Sequence, residues 1–579
     1  MTSSISQFLL LGTFVLDVAG TNLLGNGDFE SATLGTHWSK SGCSWAISTT
    51  EKRGGAQSVH ITSRAAKWAG LGYILSDGIA SGLIYVFSGY IKLENLAPGF
   101  SSHTVQVIVR QTFNNDTSKY HSLSMQPSVV PGSWVEIGGD FKLPSDLKEI
   151  RIYVQIEESG VNYFFDDGSL EELTPDPNWK TTVSNTIDNN RKVKMDILTR
   201  NPGGISLQDF TIEVEQKRSE FGHGTAVKAS LWTDASYQFY RDFVNNTLKS
   251  EWAVIENALK WRGMEWTKGN LKFDEANATI DDLLSNGFLV RGHNMFWAVE
   301  KRVPNWVQGI TDIDVMQKTI DDRISQTINL TKGRLVHWDV NNEALHGDFF
   351  ERKTESLDIT MDMFRKMHKA EPDTKLFLND FAVVNKAAYT TAITNQAKRF
   401  LDAQVPLHGI GVQSHLPSSD IDITQLKYRL DKIAEAGLPI WVTEMSVTDA
   451  NDTAKAQAIE VALSLYFSHK MVKGVLLWGF WSGAIYNVDN SLATGENSIT
   501  LNKAGEKYVD LVNNVWRTNW TAELKTYKNQ MYFKGDYIIT VKKSGQTLKT
   551  VELNLTSYTK LIIRVKGKSA SPKIKIRIR

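Results

Sequence analysis

Four stretches decide the fold: FLVRGHNMFW (288–297), VHWDVNNE (336–343), KLFLNDF (375–381) and GIGVQSHL (409–416). Each opens on an apolar, β-branched or aromatic run and closes on amides, histidines or carboxylates. Four more runs of the same kind flank them: FGHGTAV (221–227), WAVIENALKW (252–261), WVTEM (441–445) and VLLWGF (475–480). Successive starts lie 31, 36, 48, 39, 34, 32 and 34 residues apart. Amphipathic stretches such as DITMDMFRKMHKAEP (358–372) and AKAQAIEVALSLYFSHK (454–470) separate them, leaving room for one helix after each strand. Eight such units predict a (β/α)8 barrel over 220–522, since that fold repeats every roughly 31 residues. A doubly wound sheet would carry a Gly-rich phosphate turn after an early strand, and none is present.

Residues 21–174 read differently. Short alternating runs, among them YVFSGYIKL (85–93), HTVQVIVRQTF (103–113) and EIRIYVQIEE (149–158), predict an all-β, jelly-roll-like sandwich. Residues 175–219 are expected to be a polar linker followed by a short β segment. After the barrel, 523–579 predicts a small β appendage whose tail KIKIRIR suits an edge strand with a charged outer face. At the start of the chain, the apolar run Phe8–Val15 and the small residues Val18-Ala19-Gly20 predict a signal peptide over 1–20, although no Lys or Arg precedes it. A secreted, extracellular protein is therefore expected. Seven Asn-x-Ser/Thr sequons (Asn115, Asn245, Asn277, Asn329, Asn451, Asn519, Asn554) are acceptors for glycans on that route.

Of the 579 residues, 41% are hydrophobic and 22% charged, which excludes wholesale disorder. Sixty-four Lys plus Arg balance sixty-four Asp plus Glu, so neither a nucleic-acid nor a membrane partner is expected. The expected state is a monomer. A single cysteine, Cys43, excludes an intrachain disulfide and any CxxC site. Seventeen Trp and seventeen Tyr suit stacking on the apolar faces of sugars, or a Trp-rich core.

In a barrel the reactive groups lie at the carboxyl ends of strands. Those positions hold Lys260, His293, Trp297, Asn342, Glu343, Asn379, Asp380, Gln413, His415, Glu444 and Trp478. Glu343 and Glu444, three βα units apart, can face each other across the mouth. Paired carboxylates among amides, histidines and tryptophans point to glycoside cleavage, where one carboxylic acid protonates the leaving oxygen and one carboxylate attacks. His293 and His415 lack the i, i+4 spacing of a helical metal pair, so no catalytic cofactor is expected.

On these residues the chain resembles glycoside hydrolase family 10, the endo-1,4-β-xylanases. HWDVNNEAL (337–345) is similar to the family's acid/base signature and PIWVTEM (439–445) to its nucleophile strand. ENALKW, RGHNMFW, LFLNDF, GIGVQSHL and VLLWGF follow in the family's order. The resemblance implies Glu343 as general acid/base and Glu444 as nucleophile of a secreted, retaining endo-β-1,4-xylanase. It implies Asn342 on the sugar 2-hydroxyl and Glu256, Asn257, Lys260, His293 and Trp297 on the glycone side. Gln413 and His415 would surround the nucleophile, with Trp478 as a stacking floor. A retaining pair about 5–5.5 Å apart should hold Glu343 protonated, with a raised pKa, beside an ionised Glu444.

Several residues depart from that pattern. The family's Glu-Leu-Asp is Glu444-Met445-Ser446 here, leaving His415 without its carboxylate partner; Ser482, Ala298 and Phe381 also differ. The alternatives are a β-1,4-glucanase and a polysaccharide-binding protein with an inactive barrel. NLLGNGDFE (22–30) and YFFDD (163–167) resemble carbohydrate-binding modules of the family 4, 9 and 22 type. That likeness makes Trp45, Trp68 and Tyr90 candidates for sugar stacking, and Glu30 and Asp166 candidates for a structural calcium. The partner expected from both halves is xylan or a related β-1,4-glycan.

Overall fold

The computed structural model describes residues 21–31, 33–35, 37–568 and 571–579, so the expected signal peptide lies outside the described residues. Two compact units separate after Pro175. The first is a sandwich of two five-stranded antiparallel sheets. One runs in the order Trp38–Ser41, Gly70–Leu75, Leu147–Ile156, His103–Phe113, Ser118–Val129. The other runs Ser44–Ser48, Ser58–Thr62, Tyr163–Leu173, Ile84–Leu93, Val135–Lys142. Alternation builds the core between them: Val105, Val107 and Val109 of one sheet and Val59, Ile61 and Ile91 of the other are fully buried.

In the second unit, eight parallel strands close on themselves: Gly222–Val227, Trp252–Ile255, Leu289–Gly292, His337–Asp339, Lys375–Asp380, Gly409–Val412, Ile440–Val447 and Val472–Leu477. Each falls within three residues of its expected start. Trp252, Phe377, Trp441 and Leu476 fill the interior. Glycines make room for the largest of these, since a Cβ on Gly222 or Gly474 would come within 2.4 Å of the Trp441 ring. Helices between strands wrap the outside. Ile359–Ala370, for example, buries Met363, Phe364 and Met367, as its amphipathic pattern requires. Among the described residues no helix is long and apolar enough to cross a membrane.

Two expectations at the barrel's flanks need correction. The polar stretch after Pro175 contains a helix, Trp179–Arg191, rather than a linker. Its anchor is the buried Arg191, which donates to the carbonyls of Phe467 (2.6 Å), His469 (2.7 Å) and Val472 (2.7 Å). The 523–579 segment is likewise no separate appendage. Lys192–Arg200 is inserted between Tyr527–Phe533 and Thr559–Lys568, and Phe210–Ser219 between Asn519–Glu523 and Gly535–Lys543. The result is one two-sheet β domain around Met195, Ile197, Ile212, Ile539, Leu561 and Ile563. The barrel is an insertion between its first two strands and the rest. Ser571–Ile578, which contains most of KIKIRIR, is an edge strand as expected.

Candidate active site

The carboxyl ends of the barrel strands bring both carboxylates into one hydrogen-bonded web. Glu343 follows the fourth strand in a left-handed backbone conformation (φ 60°), and its amide donates to the Asn379 carbonyl at 2.9 Å. Its Oε2 accepts from Trp297 Nε1 at 2.7 Å and its Oε1 from Gln413 Nε2 at 3.1 Å. Glu444, in the seventh strand, accepts from Asn379 Nδ2 at 3.0 Å and faces His415 Nε2 at 3.2 Å. Its own amide donates to the Gln413 carbonyl at 3.0 Å. Asn379 and Gln413 therefore each hold one glutamate by the side chain and the other by the backbone, so neither carboxylate can be placed independently of its partner.

The environments push the two acids in opposite directions. Burial raises Glu343; the Trp297 and Gln413 hydrogen bonds oppose it, and the negative charges of Asp380 and Glu444 reinforce it, with a net upward shift. Burial also acts upward on Glu444, but the His415 hydrogen bond, the His293 and His415 fields and the Lys260 charge outweigh it, and the net shift is downward. A carboxyl pair split in this way supplies one proton donor and one anion at the same pH.

Around the pair, Asn342 Oδ1 accepts from Asn379 Nδ2 at 2.9 Å, while its own Nδ2 is buried with no partner. A buried donor left unpaired is costly unless a ligand supplies the acceptor. His293 Nδ1 meets Asp339 at 2.9 Å and lies 4.0 Å from Glu444. Lys260 Nζ sits 5.0 Å from the Trp297 ring centroid and 5.5 Å from that of Trp478, and donates to Asn257 Oδ1 at 3.0 Å. Burial lowers the Lys260 pKa against the pull of Glu444 and Glu256. Asn257 in turn donates to Glu256 at 3.1 Å. Trp297, Gln413 and His415 thus touch the two glutamates directly, and Lys260, with Asn257 and Glu256 behind it, reaches them past the Trp297 and Trp478 rings.

At the Ser446 departure, His415 Nδ1 lies 2.9 Å from the Ser446 hydroxyl. A serine occupies the place where the family pattern puts a carboxylate, and it still fixes the ring that faces Glu444. Further supports surround the pair. Arg291, fully buried, pairs with Asp339, which in turn holds His293. His346 Nδ1 meets the buried Asp380 at 2.7 Å and stacks on Phe381 at 3.7 Å. Arg302 lies 5.0 Å from the Trp297 centroid.

The sandwich behaves differently from its expectations. Asp166 accepts backbone amides from Arg53 (2.8 Å), Gly54 (3.2 Å) and Asp167 (2.8 Å), and Glu30 accepts those of Ala56 (2.7 Å) and Gln57 (3.0 Å). These bonds clamp the 53–57 loop, while Glu30 Oε2 takes no part in them. Among the described residues no three His, Cys, Asp or Glu side chains are grouped to hold a metal. Nor do Trp45, Trp68 and Tyr90 form one platform. Trp45 shares a cross-strand row with Ile61, Tyr163 and Leu93, whereas Tyr90 is on the opposite face under the Arg53 guanidinium (3.4 Å). Trp68, 49% exposed, is in a loop outside both sheets. The outward face of the first sheet instead gathers Arg110, paired with Glu149 at 2.7 Å, and Arg151, 5.1 Å from the Tyr153 centroid.

The model of glycosyl hydrolase family 10 matches residues 214–507, just over half of the chain. The chain belongs to that family. A carbohydrate binding domain model, CBM_4_9, matches residues 21–160. Endo-1,4-beta-xylanase 1 of Arabidopsis thaliana is 26% identical over 94% of this chain, and Endo-1,4-beta-xylanase 3 is 28% identical over 79%. The chain spans 58% and 60% of the length of these two relatives. Among solved structures, the CBM22-1–GH10 modules of Clostridium thermocellum endo-1,4-beta-D-xylanase 10B, complexed with xylohexaose, align over 86% of this chain and 97% of that one, with 16% identity and a TM-score of 0.45. In this family 10 chain the residues read from the ends of the second to eighth strands gather around Glu343 and Glu444. The supporting Asp339–Arg291 pair had no role in that reading; the neighbouring third and fourth strands bring the two side chains together.

Proposed function

We propose that the protein is a secreted, retaining endo-β-1,4-xylanase. The observation that carries this reading is the opposed tuning of Glu343 and Glu444 within one web, in a family 10 barrel whose relatives bear xylanase names. Glu343, holding its proton, donates it to the glycosidic oxygen as that bond breaks, while Glu444 bonds to the anomeric carbon from the other face. Glu343 is then an anion. Formation of the ester removes the Glu444 charge, so Glu343 takes a proton from water as the oxygen attacks the anomeric carbon and releases Glu444. The free Asn342 Nδ2 donates to the 2-hydroxyl, while Lys260, Trp297 and Trp478 seat the glycone sugar. Arg110 and Arg151 lie on the glycan-holding face of the N-terminal module.

The deciding experiment measures reducing-sugar release from xylan and carboxymethyl-cellulose, side by side with Glu444→Ala. Xylan turnover abolished by the substitution supports the reading. Predominant cellulose cleavage keeps the mechanism and moves the specificity. Binding to insoluble xylan with no turnover on either polymer refutes the hydrolytic reading.

A further inference from the structure

The balanced total charge hides a segregation. Residues 523–579 carry fourteen Lys and Arg against three Asp and Glu, a net +11, which leaves −11 on the other 522 residues. Much of the excess lies on one face. In Thr559–Lys568, Leu561, Ile563 and Val565 point into the core, so Arg564 and Lys566 point out. In the edge strand Ser571–Ile578, Ile574 and Ile576 pack inward and Lys573, Lys575 and Arg577 are exposed. The register sets like charges directly opposite each other: Lys566 against Lys573, Arg564 against Lys575, and Arg200 of the third strand against Arg564.

Like charges facing across strands destabilise a sheet. The four strands of this sheet contain one acidic residue, Asp196, and it is engaged by Tyr558 Oη (2.8 Å) and the Asn529 amide (2.8 Å), opposite Lys560. Lysines on an edge strand discourage edge-to-edge pairing, and that accounts for Ser571–Ile578 alone. It does not account for Arg564 and Arg200, which sit on interior strands. A local rule broken three times in one patch is the mark of a surface kept for a ligand.

We infer that this face binds an anionic polysaccharide, one whose sugars carry uronate carboxylates. Along a strand the cations recur about every 6.8 Å, and between strands about every 4.8 Å. That grid meets a polymer with one carboxylate per residue at several points. Leu198 and Ile562 lie between the cation rows, and the exposed Tyr558 ring beside them is tied to Asp196 by its hydroxyl and occupied by Lys194 (5.2 Å from the centroid) and Lys560 (5.5 Å). The surface anchors the chain to an acidic polymer whether or not the barrel cleaves the glycan.

The test is affinity electrophoresis and titration of the full chain with sodium polygalacturonate, unsubstituted xylan, a 30-base-pair DNA duplex and phosphatidylserine vesicles. Polygalacturonate binding is expected to weaken steeply between 50 and 500 mM NaCl. The triple variant Lys573→Gln, Lys575→Gln, Arg577→Gln should bind roughly tenfold more weakly. Its Tm should hold or rise, because the variant relieves repulsion. A control losing equal charge elsewhere (Lys148→Gln, Lys318→Gln, Lys427→Gln) should bind as the parent does. Salt-independent binding, an unaffected triple variant, an equal loss in the control, or tighter capture of DNA or vesicles would each overturn the assignment.

Discussion

Trp297→Phe isolates the hydrogen bond that restrains the proton donor. The indole Nε1 donates to Glu343 Oε2 at 2.7 Å, within the range of charge-assisted bonds. Phenylalanine keeps an aromatic face beside Lys260 and Arg302 but removes the N–H. Such a bond is worth about 1.5–3 kcal/mol to the carboxylate and roughly half that to the neutral acid. The difference, about 0.75–1.5 kcal/mol, corresponds to about half to one pH unit. The sign follows from which form gains. Indole favours the anion and so opposes the burial that raises Glu343; without it the group holds its proton to higher pH. The alkaline limb of kcat/KM should move up by about half to one unit, while the acid limb, governed by Glu444, stays in place. A pH profile on a soluble aryl β-xyloside measures both. An unmoved alkaline limb, or one that moves down, would refute the reasoning that the Trp297 contact tunes Glu343. A shift in both limbs would mean the two carboxyls titrate as one coupled unit.

Other substitutions test the remaining contacts. Glu444→Ala should cut kcat by at least ~10⁴-fold, and azide should restore turnover with inverted stereochemistry at the product, read by NMR. Glu343→Gln should abolish the alkaline limb and spare substrates with acidic leaving groups, as aryl xyloside kinetics will show. Arg291→Met strands the buried Asp339 charge and should cost about 3–5 kcal/mol, seen as a fall in Tm of order 10 °C. Arg191→Ala removes three bonds to barrel carbonyls, so limited proteolysis should cut within 179–191 where the parent resists.

The sequence disclosed some layers of this structure and concealed others, for reasons that lie in sequence distance. A βα unit is local, so the apolar run at Lys375–Asp380 and the amphipathic helix after it declare themselves within 34 residues. Glu343 and Glu444 are legible because a barrel strand delivers its last residues to the mouth. The β domain is not legible, since Val193 pairs with Tyr532, more than 300 residues away, and neither strand implies the other. The helix Trp179–Arg191 escapes because only Ile187 and Arg191 are buried in it, too few to give a periodic apolar stripe. The stacking trio in the sandwich fails for a related reason. Aromatic identity says nothing of which face a strand presents, and Trp45 and Tyr90 differ by an odd step in register.

Ser446 shows how a departure from a family pattern can leave a site intact. With aspartate at that position, one more anion would lie near Glu444 and compete for the Lys260 charge. With serine, the hydroxyl holds His415 by geometry alone, at 2.9 Å, and leaves its other ring nitrogen 3.2 Å from the nucleophile. Among the groups that lower Glu444, the His415 hydrogen bond and the His293 and His415 fields come first, and the Lys260 charge adds to them. Lys260→Met should therefore raise the acid limb of kcat/KM in this chain, because the charge that favours the Glu444 anion is gone. Restoring the carboxylate as Ser446→Asp should reduce the effect of Lys260→Met, so a double-mutant cycle read on that limb gives a non-zero coupling. An additive cycle would mean that Ser446 and Lys260 act on the nucleophile independently, and that the serine is a positional support only.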